Sequence, residues 1–134
     1  MFLIIGDPHF MTSNMDDVDN FMSKLSKLIK RDRPRIIIML GDLLHEHERL
    51  HTTPLNKAYD FVKMLSGYAP TYCLVGNHDL INNRQFLTKN HWMNAMKEWK
   101  NVEVIDYPKS VKIEEMNFVL VPYVPPGSFE DALD

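Results

Sequence analysis

Cysteine is almost missing from this chain: Cys73 is the single one in 134 residues. One thiol cannot form an internal disulfide or a cluster of thiolate metal ligands, and inside the apolar run Tyr72–Val75 it reads as a buried small hydrophobe. A reducing, intracellular setting fits that usage. No apolar stretch approaches the roughly 20 residues that a bilayer-spanning helix needs. No basic-then-apolar leader opens the chain, so no secretory signal is expected. Basic blocks are missing as well. The 15 Lys and Arg are spread thinly against 18 Asp and Glu, for a net charge of −3. That distribution removes the broad basic footprint of a DNA-binding domain and leaves only a local basic surface open. Histidine numbers six and stops at His91.

What is present is ordinary globular material, 45% hydrophobic and 25% charged. The length suits one domain, small for a two-layered enzyme. Strand-like and helical patterns alternate. Phe2–Ile5 predicts a strand, and Asp16 to Arg31 places Val18, Phe21, Met22, Leu25, Leu28 and Ile29 at helical spacing. Acids open that helix and bases close it, complementing its dipole. Pro34 precedes Arg35–Leu40, whose continuous apolar character is that of a buried parallel strand. Pro54 is expected to open a second helix and Gly67 to stop it, before a strand at Thr71–Val75. Arg84 to Trp99 predicts a further helix or helix pair; Val102–Ile105, Val111–Ile113 and Phe118–Val121 predict strands, with a turn over Glu114 to Asn117. Ser128 begins a helix of about one turn. A βαβαβ order implies a parallel sheet with right-handed crossovers, whose ligands gather beyond the carboxyl ends of the strands.

Three polar knots fall at those ends: Asp7-Pro8-His9, Gly41-Asp42 and Gly76-Asn77-His78-Asp79. Each offers carboxylate, imidazole or carboxamide groups, the ligand set of Mn, Fe, Zn or Mg. Alternation along an extended segment would turn Pro8 away and let Asp7 and His9 face one ion. Taken singly, Asp, Asn and Gly at such positions also suit turns and caps.

In order and in strand context the knots resemble the first three signature blocks of the calcineurin-like metallophosphoesterases, D-x-H, G-D and G-N-H-[DE]. The resemblance covers essentially the whole chain. The family's remaining blocks, G-H and G-H-x-H, bring three further histidine ligands and do not occur after Asp79. It implies an α/β fold, a parallel or mixed sheet with flanking helices, as the first part of a four-layered αββα sandwich. Residues 1–134 would then be one partial, C-terminally truncated domain, with the second sheet expected beyond Asp134. It implies two divalent ions, Mn foremost, with Asp7 and His9 on the first, Asp42 bridging and Asn77 on the second. Such a pair clamps a phosphate and acidifies a shared water at a separation of roughly 3.5–4 Å. His78 would contact the phosphate and protonate the leaving group, with Asp79 orienting it.

Gly41-Asp-Leu-Leu-His45 together with Gly-Asn-His-Asp79 resembles the DNA-repair-nuclease branch, where a histidine after the bridging Asp touches the phosphate. The protein phosphatases carry Gly-Asn-His-Glu and an Arg after Gly-Asp, and match less well. The stretch from Gly41 onward, with Val121-Pro-Tyr-Val-Pro-Pro-Gly127, is similar to small metallophosphoesterases of large DNA viruses and phages. A phosphodiesterase acting on a nucleic acid or nucleotide is therefore the expected activity, in the cytoplasm, or in the host cytoplasm or nucleus for a viral protein. A catalytically incomplete fragment, serving as a binding or assembly subunit or taking its missing histidines from a partner chain, is the alternative; a small-molecule phosphomonoesterase is the third. His47 and His51 stand four apart, as a helical metal pair or as part of an exposed loop, and Trp92 beside His91 reads as core. An unpartnered sheet face should be exposed and self-associate.

Overall fold

The computed structural model describes residues 1–134. Four strands, β1 (Phe2–Ile5), β2 (Ile36–Met39), β3 (Thr71–Leu74) and β4 (Val102–Ile105), pair in parallel in the order β1-β2-β3-β4. The register sets Phe2 beside Ile36, Ile38 beside Tyr72 and Tyr72 beside Glu103. Sequential order with right-handed crossovers puts the connecting helices on one face. There α1 (Met15–Asp32) and α2 (Thr52–Tyr68) cover Leu3, Ile5, Ile37, Met39, Cys73 and Val102 with Val18, Leu25, Ile29, Phe61 and Leu65.

Both helices carry the expected signals, with adjustments. In α1, Asp16 and Asp17 sit in the first turn and Lys30 and Arg31 in the last. Arg33, at φ 48°, ends it by donating its N–H to the Ile29 carbonyl. Helix α2 starts two residues before Pro54, which is tolerated because the first-turn N–H groups have no intrahelical acceptor. Gly67 does not stop α2 but lies inside it. Pro70 ends it by forcing Ala69 into extended backbone. The helix expected over Arg84 to Trp99 shrinks to a 3-10 segment at Trp92–Met96. Side chains compete for the backbone there: Asn82 accepts from the Arg84 N–H, Thr88 from the Asn90 N–H, and Asn94 donates to the Lys89 and His91 carbonyls.

The second face is not left bare. Strands β5 (Lys109–Ile113) and β6 (Met116–Leu120) form an antiparallel hairpin with a two-residue turn, tighter than expected, in which Glu114 takes φ 57° and is held by Arg35 at 2.7 Å. The hairpin packs Val111, Phe118 and Leu120 on Ile36, Ile38, Tyr72, Leu74 and Ile105, and Phe118 meets Phe2 edge-on at 5.5 Å. A second β layer therefore begins within this chain, where it was expected only beyond Asp134. After β6 the chain returns to the sheet, Tyr123 donating its N–H to the Val75 carbonyl, and closes with α3 (Phe129–Leu133).

Candidate metal centre

The carboxyl ends of β1, β2 and β3 bring the three knots together. The loop after β1 is tied to the loop after β2 by His9 N–H to Asp42 O at 3.0 Å, Phe10 N–H to Leu43 O at 2.7 Å and His45 N–H to Phe10 O at 3.1 Å. The loops after β2 and β3 touch backbone to backbone. A Cβ on Gly76 would lie 2.3 Å from the Asp42 nitrogen, and one on Gly41 would lie 2.6 Å from Gly76 Cα. Hydrogen at both positions is what permits the approach.

The segment from Asp7 to His9 is not extended as its alternation suggested. Asp7 and His9 adopt φ 38° and 52°, and Asp42 adopts 52°, with Gly41 at 99°. Left-handed backbone costs a non-glycine residue roughly 1–2 kcal/mol, so the surrounding contacts hold these side chains where local preference would not. His9 lies edge-on to both His45 and His78, at centroid distances of 5.5 and 5.0 Å. Ligand atoms of His9, His45 and His78 all fall within 4.8 Å of one another. Asp42 approaches His9 Nε2 at 3.7 Å with Oδ2 and accepts the His78 N–H at 2.7 Å with Oδ1. Asn77 Oδ1 is buried and has no hydrogen-bond partner. Asp7, two residues after β1, is exposed and its side chain forms no hydrogen bond.

Asp79 does not pair with His78. Its side chain is fully buried and gathers four donors: the N–H groups of Asp42 at 2.8 Å, Gly76 at 2.9 Å and Leu44 at 3.4 Å, and the Trp92 indole at 2.9 Å. Burial pushes its pKa up to about 6, against the hydrogen bonds from Trp92, Gly76 and Leu44, while the charge of Asp42 adds to the rise. The carboxylate thus binds the β2 and β3 loops to each other. His78 instead donates Nδ1–H to the His45 carbonyl at 2.6 Å, since a carbonyl can only accept. That bond fixes the tautomer and leaves Nε2 as the free ring position.

His47, which the sequence left between a metal pair and a loop, stacks on His78 with centroids 4.8 Å apart and a 31° tilt. Its Nδ1–H reaches the Leu80 carbonyl at 3.2 Å. His51 precedes α2, its backbone carbonyl accepting the Leu55 N–H, and joins no metal cluster. Trp92 is core as expected, with the added duty of binding Asp79. His91 is buried and donates Nε2–H to Asp106 at 2.9 Å, where Lys97 also pairs. Burial depresses the His91 pKa against the pull of Asp106. Burial also works to raise Asp106, but hydrogen bonds from Lys97 and His91 outweigh it and lower that carboxyl. Burial, and then the charge of Asp79, push the Cys73 thiol up to about 12, so it is inert packing.

An imidazole cluster with a carboxylate beside it at strand ends, an orphaned buried amide oxygen and glycine-dependent loop contacts make this a candidate metal site on an α/β fold. Residues 1–128 match the family model of the calcineurin-like phosphoesterases, and the chain belongs to that family. It is 52% identical over 132 residues to the protein designated phosphoesterase 244L in Invertebrate iridescent virus 6, across 98% of this chain and 46% of that one. The protein designated phosphoesterase 078R in Invertebrate iridescent virus 3 is 47% identical over 131 residues, across 98% of this chain and 38% of its own length. The chain therefore spans less than half the length of these relatives. No helix is long and apolar enough to cross a membrane.

Proposed function

We propose that residues 1–134 form the N-terminal part of one metal-dependent phosphoester hydrolase domain, of the phosphodiesterase or nuclease type. The observation that carries this reading is the buried, partnerless Asn77 Oδ1 next to the cluster of His9, His45 and His78, on which Asp42 also bears. An unsatisfied buried acceptor costs about 1–3 kcal/mol, a cost that a cation relieves. Oxygen and imidazole donors without thiolate fit two divalent ions, Mn first among Mn, Fe, Zn and Mg. Asp7 and His9 would hold one, Asn77 the other, and Asp42 both. When bound, such ions supply Lewis acidity toward the phosphoester and the attacking water. His78, its Nδ1–H donated to the His45 carbonyl, would as the imidazolium donate Nε2–H to a phosphoryl oxygen and pass that proton to the departing oxygen, leaving the neutral ring. His45 offers a second imidazole to the phosphate, as the likeness to the repair nucleases suggests. Asp79 is a positioning residue, acting through the loops that carry Asp42, Asn77 and His78.

A second reading is favoured by one observation: the three clustered histidines, His9, His45 and His78, all come from residues that cover 46% and 38% of the relatives' lengths. Here residues 1–134 bind metal, and turnover needs further ligands from elsewhere, in more of the same chain or in a partner. Mn-dependent hydrolysis of bis-p-nitrophenyl phosphate separates the two. Turnover lost in both Asp42→Asn and His78→Ala supports the hydrolase, and metal uptake without turnover supports the half-site. A preference for p-nitrophenyl phosphate would point to a phosphomonoesterase. Neither uptake nor turnover would sink both main readings.

The hairpin leaves part of the second sheet face open. Ile4, 57% exposed, lies beside Ile38 at the β1 edge, and Leu40 is 47% exposed. Self-association through this apolar edge follows. Sedimentation velocity should show a concentration-dependent shift that Ile4→Lys weakens; a monomer at all concentrations would refute it.

A further inference from the structure

A cleft of about 370 Å³ opens beside the cluster and is not used by the chemistry above. It reaches the site through His47, which lines it and stacks on His78 at 4.8 Å, and through Asp79. We infer that this cleft is the leaving-group subsite of a phosphodiester and receives an uncharged, nucleoside-sized alcohol. The inference rests on the reading of His78 as the group that serves the departing oxygen. His47 lies on the face of the His78 ring and lines the cleft, so a group held in the cleft sits one side chain away from the imidazole that serves the departing oxygen.

Size and wall chemistry agree with such an occupant. The volume falls at the lower end of the roughly 300–1,000 Å³ typical of small-molecule sites. Leu50, Leu80 and Ile81 give apolar wall for a flat ring, while Asn90, Asn94 and Lys89 offer amide and ammonium groups for its polar edge. The charge is nearly balanced. Lys89 forms no ion pair, Glu48 is exposed at the same cleft, and the oxygens of Asp79 are already taken by four donors. A second phosphate would find one lysine opposed by one glutamate, whereas a neutral nucleoside meets no electrostatic penalty. His47 has its Nδ1 committed to Leu80, so its tautomer is set and Nε2 is the ring position open to a sugar or base hydroxyl or amine.

The Trp92 indole N–H, which donates to Asp79 beneath the cleft, is a ready reporter. Adenosine and inorganic phosphate would each be titrated into the full metal-free chain while the Trp92 indole and His47 ring resonances are followed by NMR. The expected result is a saturable shift with adenosine and none with phosphate, and an adenosine affinity at least about tenfold weaker in Asn90→Phe, which fills the cleft from an exposed position. Lys89→Ala should weaken adenosine less than Asn90→Phe does. No shift with adenosine, a shift indifferent to both variants, or a response to phosphate in place of adenosine would each overturn the inference. The experiment uses no metal and no turnover, so an inactive chain that still binds adenosine would defeat the hydrolase reading alone.

Discussion

Gly76 is the position at which a single carbon atom would do most harm. Its absent Cβ leaves room for the Asp42 nitrogen and for Asp42 Oδ1, which a methyl group would meet at 2.3 and 2.5 Å. The neighbours are backbone and a short carboxylate, with little freedom to move aside. Gly76→Ala should therefore cost at least about 1–3 kcal/mol in urea unfolding, as overpacking does. It should also part the Asp42 and Asn77 loops, so metal uptake falls with stability. A variant of unchanged midpoint and unchanged uptake would show that the loops do not depend on this contact. The closeness of Gly41 and Gly76 across two strands, and Asp79 as the group that binds both loops, needed the fold. Asp79 looked like a partner for His78 because they adjoin in sequence. In the 3-10 turn Asn77–Asp79 their side chains diverge, one to the His45 carbonyl and one into the core.

At the scale of elements, the strands were the most legible part, because buried parallel strands are short, continuous apolar runs. Val102–Ile105 falls where expected, and β1 to β3 agree within a residue at each end. Helix ends were less legible, since Gly67 and Pro54 are tolerated in α2 for reasons of position. Gly67 is exposed, and a methyl group added there would meet nothing within 4 Å. Gly67→Ala should stabilise the chain by about 0.5–1 kcal/mol, seen as a raised thermal midpoint; a lowered one would place the helix end earlier than Tyr68. Arg84 to Trp99 was misread because Asn82, Thr88 and Asn94 bond to its backbone and hold it in turns. It also carries the His91–Asp106 pair, with a consequence for pH. Both folded pKa values are depressed below their ordinary values of 6.5 and 3.8. The stability they contribute is present above those values and is lost as pH falls, first below 6.5 through His91 and then below 3.8 through Asp106. Asp79, raised to about 6, acts oppositely: its burial costs stability above that pH, and the cost is relieved on acidification toward 3.8. Subtracting the pH–stability curve of His91→Gln from that of wild type isolates the histidine. The difference should decline from pH 7 to pH 5; a flat difference would mean His91 is not depressed.

For the molecule as a whole, the layers explain why the centre lies at one end. Helices on one face and a hairpin on the other leave the carboxyl ends of four parallel strands open, and three polar loops meet there. Composition and motif order disclosed this placement, as Ile-rich runs each closed by a metal-capable knot. They did not disclose that His45 and His78 would crowd on His9, or that His47 would stack on His78, because the chain from Gly41 to His51 has no regular element of its own. The measurement that tests the account most directly is Mn²⁺ binding by equilibrium dialysis, comparing wild type with Asn77→Leu and Asp42→Asn. Saturable binding, weakened at least about tenfold in both variants, is the predicted result. Binding that ignores both substitutions, or no binding by the wild-type chain, would contradict a metal centre built on these loops.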